Sequence, residues 1–185
     1  MSNNKINTLI DEEHIKILFS IFKNQNAEIR LVGGSIRDFL MNREIADIDS
    51  ATDLEPNEVL QLLKEHKIEY DDYAIRYGSI IAYPNNKKIQ ITSLREDINQ
   101  LGRHTSVLFT KDWKKDAARR DFTFNALYLG EDSKLYDYYN GQEDLQAKVI
   151  KFIGEIEDRI KEDYLRIYRY FRFLGLFDLP LIDKK

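Results

Sequence analysis

The sequence predicts an α+β fold, in which a small mixed sheet flanked by helices is followed by an all-helical segment. Short apolar runs bounded by glycine, proline or asparagine indicate strands, and apolar residues three or four apart indicate helices between them. From Glu155 to Phe177 the helical spacing continues, which predicts one long amphipathic helix. We therefore expect a mixed domain over residues 1–153 and a helical one over residues 154–185.

The composition is that of a globular protein. Of the 185 residues, 43% are hydrophobic and 32% are charged, which separates the chain from disordered proteins. The chain has no cysteine, so a disulfide framework, a thiolate zinc site and a cysteine nucleophile are excluded. Acidic residues interrupt the N-terminal apolar residues and no apolar run reaches membrane-spanning length, so we expect a soluble cytoplasmic protein without membrane contact.

A net charge of −4 restricts contact with a polynucleotide to local basic patches. One candidate is the stretch 111–120, KDWKKDAARR, with five basic and two acidic residues. The other is the series Arg166, Arg169 and Arg172. Each patch could equally be the solvated face of a helix.

The N-terminal half alternates helices and strands. Residues 11–24 have helical spacing, with Asp11 as a candidate cap. The apolar run Ile29–Val32 predicts a strand, and after two glycines Ser35 can cap a short helix. A second strand is expected over 46–51, and a further helix should begin at Pro56.

The second half of the first domain contains a hairpin and a helix. The runs 77–83 and 88–94 surround Pro84, Asn85 and Asn86, which predicts a β-hairpin. Helical spacing covers residues 112–127, and short strands can fill 127–139 and 149–152.

Asp47 and Asp49 are two residues apart in a predicted strand, so both carboxylates point to one face. Carboxylates this close repel each other unless a cation neutralises them, and Mg²⁺ is the natural choice because it prefers oxygen ligands. If two ions bind, one activates an attacking hydroxyl and the other holds a triphosphate. Two aspartates with this spacing and no other motif nearby are more often simply exposed to solvent.

The Gly33-Gly34 turn allows backbone amides to approach phosphate oxygens without an intervening Cβ, and the following helix starts at the same point. Arg37 could add a charge-assisted contact to those phosphates. Taken alone, a glycine pair is usually only a tight connection. Neither a P-loop nor a Rossmann glycine pattern is present.

Two further polar clusters stand out. RRDFTFNALY interleaves Arg119, Arg120, Asp121 and Asn125 with apolar residues. In EDYLRIYR, an aspartate and an arginine are three residues apart, so a helix would place them on one face as an acceptor and a donor for a base edge. Each cluster could also be an ordinary surface ion pair.

Five stretches occur in this order between residues 29 and 177: LVGGSIRDFL, ADIDSAT, RRDFTFNALY, YDYYNGQEDL and RIKEDYLRIYRYFRF. Together they resemble the class II tRNA nucleotidyltransferase (CCA-adding enzyme) and bacterial poly(A) polymerase family of the polymerase-β-like nucleotidyltransferase superfamily. The resemblance implies a nucleotidyltransferase head and the beginning of a helical neck. It also implies transfer of C and A from CTP and ATP to the 3′ end of tRNA, or of A to other RNA, with release of pyrophosphate.

The resemblance assigns roles to particular residues. Asp47 and Asp49 would be catalytic and bind Mg²⁺. The nucleotide-binding residues would be Gly33, Gly34, Arg37, Asp38, Arg119, Arg120, Asp121, Asn125, Asp163 and Arg166. Among these, Asp163 and Arg166 would read the incoming base, and Glu162 belongs to the same motif.

The chain departs from the family pattern in three ways. Gln90 stands where the family usually has a glutamate facing the two aspartates, and Ala46 and Ser50 differ from the usual flanking residues. The body and tail domains of the family are expected to be absent. An inactive nucleotide- or RNA-binding fragment therefore remains a third interpretation, and the apolar stripe of the terminal helix predicts a partner chain or self-association.

Overall fold

A computed structural model describes the backbone of residues 3–101 and 104–177, and the side chains of 7–98 and 107–177. The helices are α1 (Asn3–Ile10), α2 (Glu13–Asn24), α3 (Gly34–Leu40), α4 (Pro56–Glu65), α5 (Trp113–Ala118), α6 (Gly141–Gln146), α7 (Ile156–Glu162) and α8 (Leu165–Leu176). The strands are β1 (Ile29–Val32), β2 (Ile48–Thr52), β3 (Tyr70–Asp71), β4 (Ser79–Ala82), β5 (Ile89–Ser93), β6 (Arg95–Leu101), β7 (His104–Phe109), β8 (Leu127–Leu129) and β9 (Leu135–Asp137).

The predicted α+β fold with a mixed sheet is confirmed. Seven strands form one sheet in the order β3-β4-β5-β2-β1-β8-β9, and β6 pairs with β7 in a separate hairpin. Within the large sheet β2 and β5 are parallel, whereas the other neighbours are antiparallel. The chain reaches this parallel pairing through the crossover that contains α4.

The main core lies between the large sheet and its helices. From α2, Leu18 and Phe22 pack into the same buried cluster as Leu31 of β1 and Leu63 of α4. This packing holds the C-terminal end of β1 and the start of α3 in place, where the glycine turn lies. The helix α4 also carries a capping box, in which Glu55 and Glu58 satisfy each other's backbone amides.

Several local predictions are confirmed. The strand Ile29–Val32 has the predicted bounds, α4 begins at Pro56, and β4 and β5 form the predicted hairpin around Pro84. The predicted second strand is shifted: β2 begins at Ile48, so Asp47 lies just before it. Ser35 does not cap α3, because its hydroxyl donates to the Val32 carbonyl (3.0 Å) and Gly33 holds the cap position.

The helix predicted over 112–127 is wrong beyond Ala118. Phe122 has extended backbone angles and forms an isolated bridge with Phe152, and a 3-10 turn follows at Thr123–Asn125. Phe122 and Phe124 are fully buried, and burying both aromatic rings in the core overrides the local helical spacing. The strand predicted over 149–152 is reduced to that single bridge.

The single long helix predicted over 155–177 is also wrong. The backbone of Asp163 is extended (φ −152°, ψ 105°), which separates α7 from α8. The Asp163 carboxylate accepts a hydrogen bond from the Leu165 amide (2.9 Å), so it satisfies one of the backbone amides at the start of α8 that has no partner within the helix. Residues 178–185 of the predicted helical domain lie outside the described residues, and the division near residue 153 stays a prediction.

The helix α8 packs against the first domain with one face and exposes the other. Phe173 and Phe177 stack edge-on against Phe124 at centroid distances of 4.9 and 5.3 Å. On the opposite side Tyr168 is 75% exposed and Phe171 is 52% exposed. A partner chain or self-association through this exposed face stays a prediction. Among the residues that the structure describes, no helix is long and apolar enough to cross a membrane.

Candidate functional site

A cavity of about 490 Å³ lies where the C-terminal end of β1, the start of β2 and the helices α3 and α8 meet. All the predicted site residues except Arg119 line it. The lining consists of Gly33, Gly34, Arg37, Asp38, Ala46, Asp47, Asp49, Arg120, Asp121, Asn125, Asp163, Arg166, Arg169 and Arg172.

The glycine turn leaves room for an arginine of the cavity wall. Gly33 has a φ of +75°, and a Cβ at this position would lie 3.4 Å from Arg120 Nη1. Its amide donates to the Leu127 carbonyl (3.2 Å), which ties the turn to β8. An L side chain here would combine backbone strain with a tight contact, so this position favours glycine.

A continuous chain of polar contacts crosses the cavity floor. Arg37 is only 8% exposed, and its guanidinium donates to both carboxylate oxygens of Asp38 (3.0 and 2.8 Å) and to Asn125 Oδ1 (2.7 Å). Asn125 in turn donates to Asp121, whose second oxygen accepts from Arg169. Burial favours the protonated Asp121, but the Arg169 charge and these donors outweigh it and lower its pKa.

Asp116 anchors the arginine pair from behind the cavity. This fully buried carboxylate accepts from Arg119 Nε (2.9 Å), Arg120 Nη2 (3.1 Å) and the Tyr128 hydroxyl (2.8 Å). Burial opposes ionisation, yet the charges of Arg120 and Arg119 and the donated bonds lower the pKa of Asp116 to about 2. The sequence analysis missed this residue, although an acid three and four positions before an arginine pair in a helix could have indicated it.

The carboxylates of Asp47 and Asp49 share one wall of the cavity. Burial and the charge of Asp47 raise the pKa of Asp49, against the opposing charges of Arg120, Lys88 and Arg37. Within the side chains that the structure describes, none donates a hydrogen bond to the Asp49 carboxylate. A half-buried carboxylate with no donor beside a second one fits a bound cation.

Asp47 and Asp49 offer two carboxylates for such an ion. Among the described residues no cluster of at least three His, Asp or Glu side chains could hold a metal. Gln90 of β5 lies directly beside Asp49 in the parallel ladder, as predicted, and contributes an amide instead of a third acid. Further ligands would therefore have to be water or substrate phosphates, which is a common arrangement for Mg²⁺.

Asp163 and Arg166 reach the cavity from different elements, so the predicted shared helical face is wrong. The Arg166 guanidinium is buried, where it donates to the Arg159 carbonyl (2.7 Å) and pairs with Glu162. Asp163 remains exposed at the helix break. Arg119 lies outside this cavity: its side chain pairs with Asp116 and its carbonyl accepts from Arg159 (2.6 Å).

Only one of the two predicted basic patches reaches the cavity as a group. Arg166, Arg169 and Arg172 all line it, although only Arg166 was predicted as a site residue. Burial and the charges of Arg169 and Arg37 lower the pKa of Arg172, so this wall has an excess of positive charge that an anion would relieve. In the stretch 111–120, Lys115 instead pairs with Glu96 (3.0 Å).

Gly141 of the YDYYNGQEDL stretch supports the turn that carries Asn125. A Cβ at Gly141 would lie 2.2 Å from the Thr123 carbonyl oxygen, a backbone atom that cannot move aside. We therefore expect Gly141→Ala to lower the free energy of unfolding by about 2–3 kcal/mol and to weaken nucleotide binding by displacing Asn125. Urea unfolding and nucleotide titration measure both effects, with Gly175→Ala, which meets no atom within 4 Å, as the control. Equal stability of the two variants would contradict the prediction.

Comparison with known proteins adds independent findings. The poly A polymerase head domain family matches residues 29–151. The mitochondrial CCA tRNA nucleotidyltransferase 1 of Homo sapiens is 43% identical over 173 residues, which cover 93% of this chain and 39% of that protein. The chain thus spans about two fifths of this relative's length.

Two solved structures share the fold. The Bacillus stearothermophilus CCA-adding enzyme in complex with CTP superposes with a TM-score of 0.77 at 29% identity, covering 88% of this chain and 39% of that one. A tRNA nucleotidyltransferase complexed with a primer tRNA and an incoming ATP analog gives a TM-score of 0.72 at 27% identity, with coverage of 88% and 45%. From the match over residues 29–151 and these relatives, the chain belongs to the poly A polymerase head domain family.

Proposed function

We propose that this chain is the nucleotidyltransferase head of a CCA-adding enzyme, which adds C and A from CTP and ATP to the 3′ end of tRNA without a nucleic-acid template. The observation that carries the proposal is a single cavity in which two carboxylates face a wall of arginines. The similar proteins are named as CCA-adding enzymes or tRNA nucleotidyltransferases, and two of the solved structures contain CTP or a primer tRNA with an ATP analog. These relatives support CCA addition over general poly(A) synthesis. A cytoplasmic location is part of the same proposal.

We assign the following roles to residues that line the cavity. Asp47 and Asp49 would hold Mg²⁺, which would neutralise phosphate charge and activate the RNA 3′-hydroxyl that attacks the α-phosphate. Gly34 would present its backbone amide, and Arg37 and Arg120 their guanidinium groups, to the triphosphate. The Gly33 amide is bonded to the Leu127 carbonyl, so Gly33 would contribute the tight turn that lets the phosphates approach.

The remaining residues position these groups or the substrate. We assign ribose binding to Asp121 and Asn125, while Asp38 orients Arg37 through a two-oxygen contact. Arg119 acts as a positioning residue through Asp116. Catalysis then rests on orientation and on electrostatic stabilisation of the departing pyrophosphate, with no covalent intermediate.

Base selection would rest on Asp163 and Arg166. The Arg166 guanidinium also donates a hydrogen bond to the Arg159 backbone carbonyl. Its replacement should therefore reduce the stability of the fold as well as the selectivity among nucleotides. Asp163→Asn is the cleaner variant: the asparagine oxygen can still accept the Leu165 amide hydrogen bond, but one acceptor at the cavity is exchanged for a donor.

We expect Asp163→Asn to change the ratio of kcat/KM for CTP, ATP, GTP and UTP by about 10-fold or more with little change in Tm. Glu157→Gln, on an exposed part of α7, is the matched control. Selectivity equal to that of the parent chain would remove Asp163 from base reading.

The deciding assay supplies the purified chain with Mg²⁺, labelled CTP or ATP, and either tRNA ending before CCA or a generic RNA. Addition of C and then A only to tRNA supports the proposal. Unlimited addition of A to any RNA would establish the poly(A) polymerase alternative. Nucleotide binding without incorporation on either RNA would instead indicate an inactive nucleotide-binding fragment.

A further inference from the structure

The strand beside the carboxylate pair brings a lysine to it. In the parallel ladder Ile48 lies opposite Ile89 and Asp49 opposite Gln90, so one step earlier Lys88 accompanies Asp47. The Lys88 ammonium lies 3.4 Å from Asp47 Oδ1. The neighbouring strand therefore offers a cation and an uncharged amide to the two carboxylates.

The charge around the pair is already largely balanced. Lys88 is in direct contact with Asp47, whereas the nearby Arg120 and Arg37 are paired with Asp116 and Asp38. No third acidic side chain joins the pair among the described residues. Two divalent ions together with Lys88 would leave these two carboxylates with a large excess of positive charge, which an incoming triphosphate would offset.

We propose that Lys88 takes one of the two cation positions at the carboxylate pair, so that the nucleotide-free chain binds one divalent ion and Lys88 competes with it for Asp47. This inference rests on the proposed function, because it assumes that Asp47 and Asp49 bind a metal. It adds Lys88, which is not among the predicted site residues, as a residue that sets how many divalent ions the site holds before the substrate binds.

The solvent exposure of Lys88 and Asp47 determines how strongly Lys88 should affect the affinity for the metal ion. The side chains of Lys88 and Asp47 are 53% and 69% exposed, so water and salt screen their attraction and the lysine can move aside. A unit charge a few ångströms from a divalent ion in this environment should change the ion's affinity by about fivefold. The competition is therefore modest, and charge, more than side-chain volume, controls it.

The test is titration of the full chain with Mn²⁺ in the absence of nucleotide, with free Mn²⁺ followed by electron paramagnetic resonance. Lys88→Met should tighten Mn²⁺ binding about fivefold, while Lys88→Arg should match the parent because the charge is kept. Lys87→Met removes the adjacent exposed lysine, which has no carboxylate partner among the described residues, and should leave Kd unchanged.

A charge reversal tests the number of ions. Lys88→Glu should raise the count from one Mn²⁺ per chain to two, because the site then has a third carboxylate. Equal affinity for Lys88→Met and the parent, or two ions bound by the parent, would overturn the role of Lys88 alone. Undiminished Mn²⁺ binding after replacement of both aspartates by asparagine would instead overturn the metal assignment in the proposed function.

Discussion

Replacing Asp47 and Asp49 together by asparagine should reduce C and A incorporation by at least about 1,000-fold. Both carboxylates line the cavity and are the proposed metal ligands, so without them the bound triphosphate would lose the ion that offsets its charge. Single-turnover incorporation of labelled CTP into tRNA ending before CCA measures the loss. The exposed Asp72→Asn is the matched control.

The same double variant should remain folded, with unchanged or higher stability. Burial and the charge of Asp47 raise the pKa of Asp49, so the ionised form opposes folding at neutral pH and stability falls as the pH rises through this pKa. Asparagine removes that penalty, as expected where a site sacrifices stability for function. Thermal unfolding followed by circular dichroism measures the Tm of the variant, and a lower Tm would mean that the lost activity reflects misfolding. Full activity in the incorporation assay would show that neither aspartate is needed for catalysis.

Asp116→Asn should produce the second large effect, a loss of about 3–5 kcal/mol in the free energy of unfolding. The variant leaves the partly buried guanidinium groups of Arg119 and Arg120 beside a neutral amide, and removing the fully buried partner of such an ion pair costs this much. Because Arg120 would also lose its anchor opposite Gly33, nucleotide binding should weaken. Urea unfolding and nucleotide titration measure the two losses, with Asp158→Asn on the surface of α7 as the control.

The pH dependence of stability provides an independent measure of the same contact. The folded pKa of Asp116, about 2, lies below its ordinary value, so its contribution is fully present above pH 5 and is lost as the pH falls toward 2. The loss should amount to about 2 kcal/mol, and the Asp116→Asn variant should lack this part of the acid dependence. Parallel stability curves for the parent and the variant between pH 5 and 2 would show that the carboxylate is not stabilised by its arginines.

Much of the candidate site could be predicted because its motifs are local. The strand before Gly33, the helix from Pro56 and the hairpin around Pro84 depend on turn chemistry and short-range spacing, and the structure contains all three. The predicted residues, Arg119 excepted, then line one cavity. The prediction of one long helix is wrong at Asp163, where the backbone is extended. The spacing of apolar residues shows which face of a helix is buried, but it does not reveal a single extended residue when the same spacing continues on both sides of it.

By itself the sequence determined the fold class, the motifs in their order and the residue types that a nucleotidyl-transfer site requires. The tertiary structure alone decided which of those residues meet. Arg37 contacts Asn125 across 88 positions, Lys88 reaches Asp47 through the parallel pairing of β2 with β5, and Asp116 gathers two arginines and Tyr128 in the core. Local spacing cannot report such contacts, because strand order and the burial of distant side chains are properties of the whole packed chain.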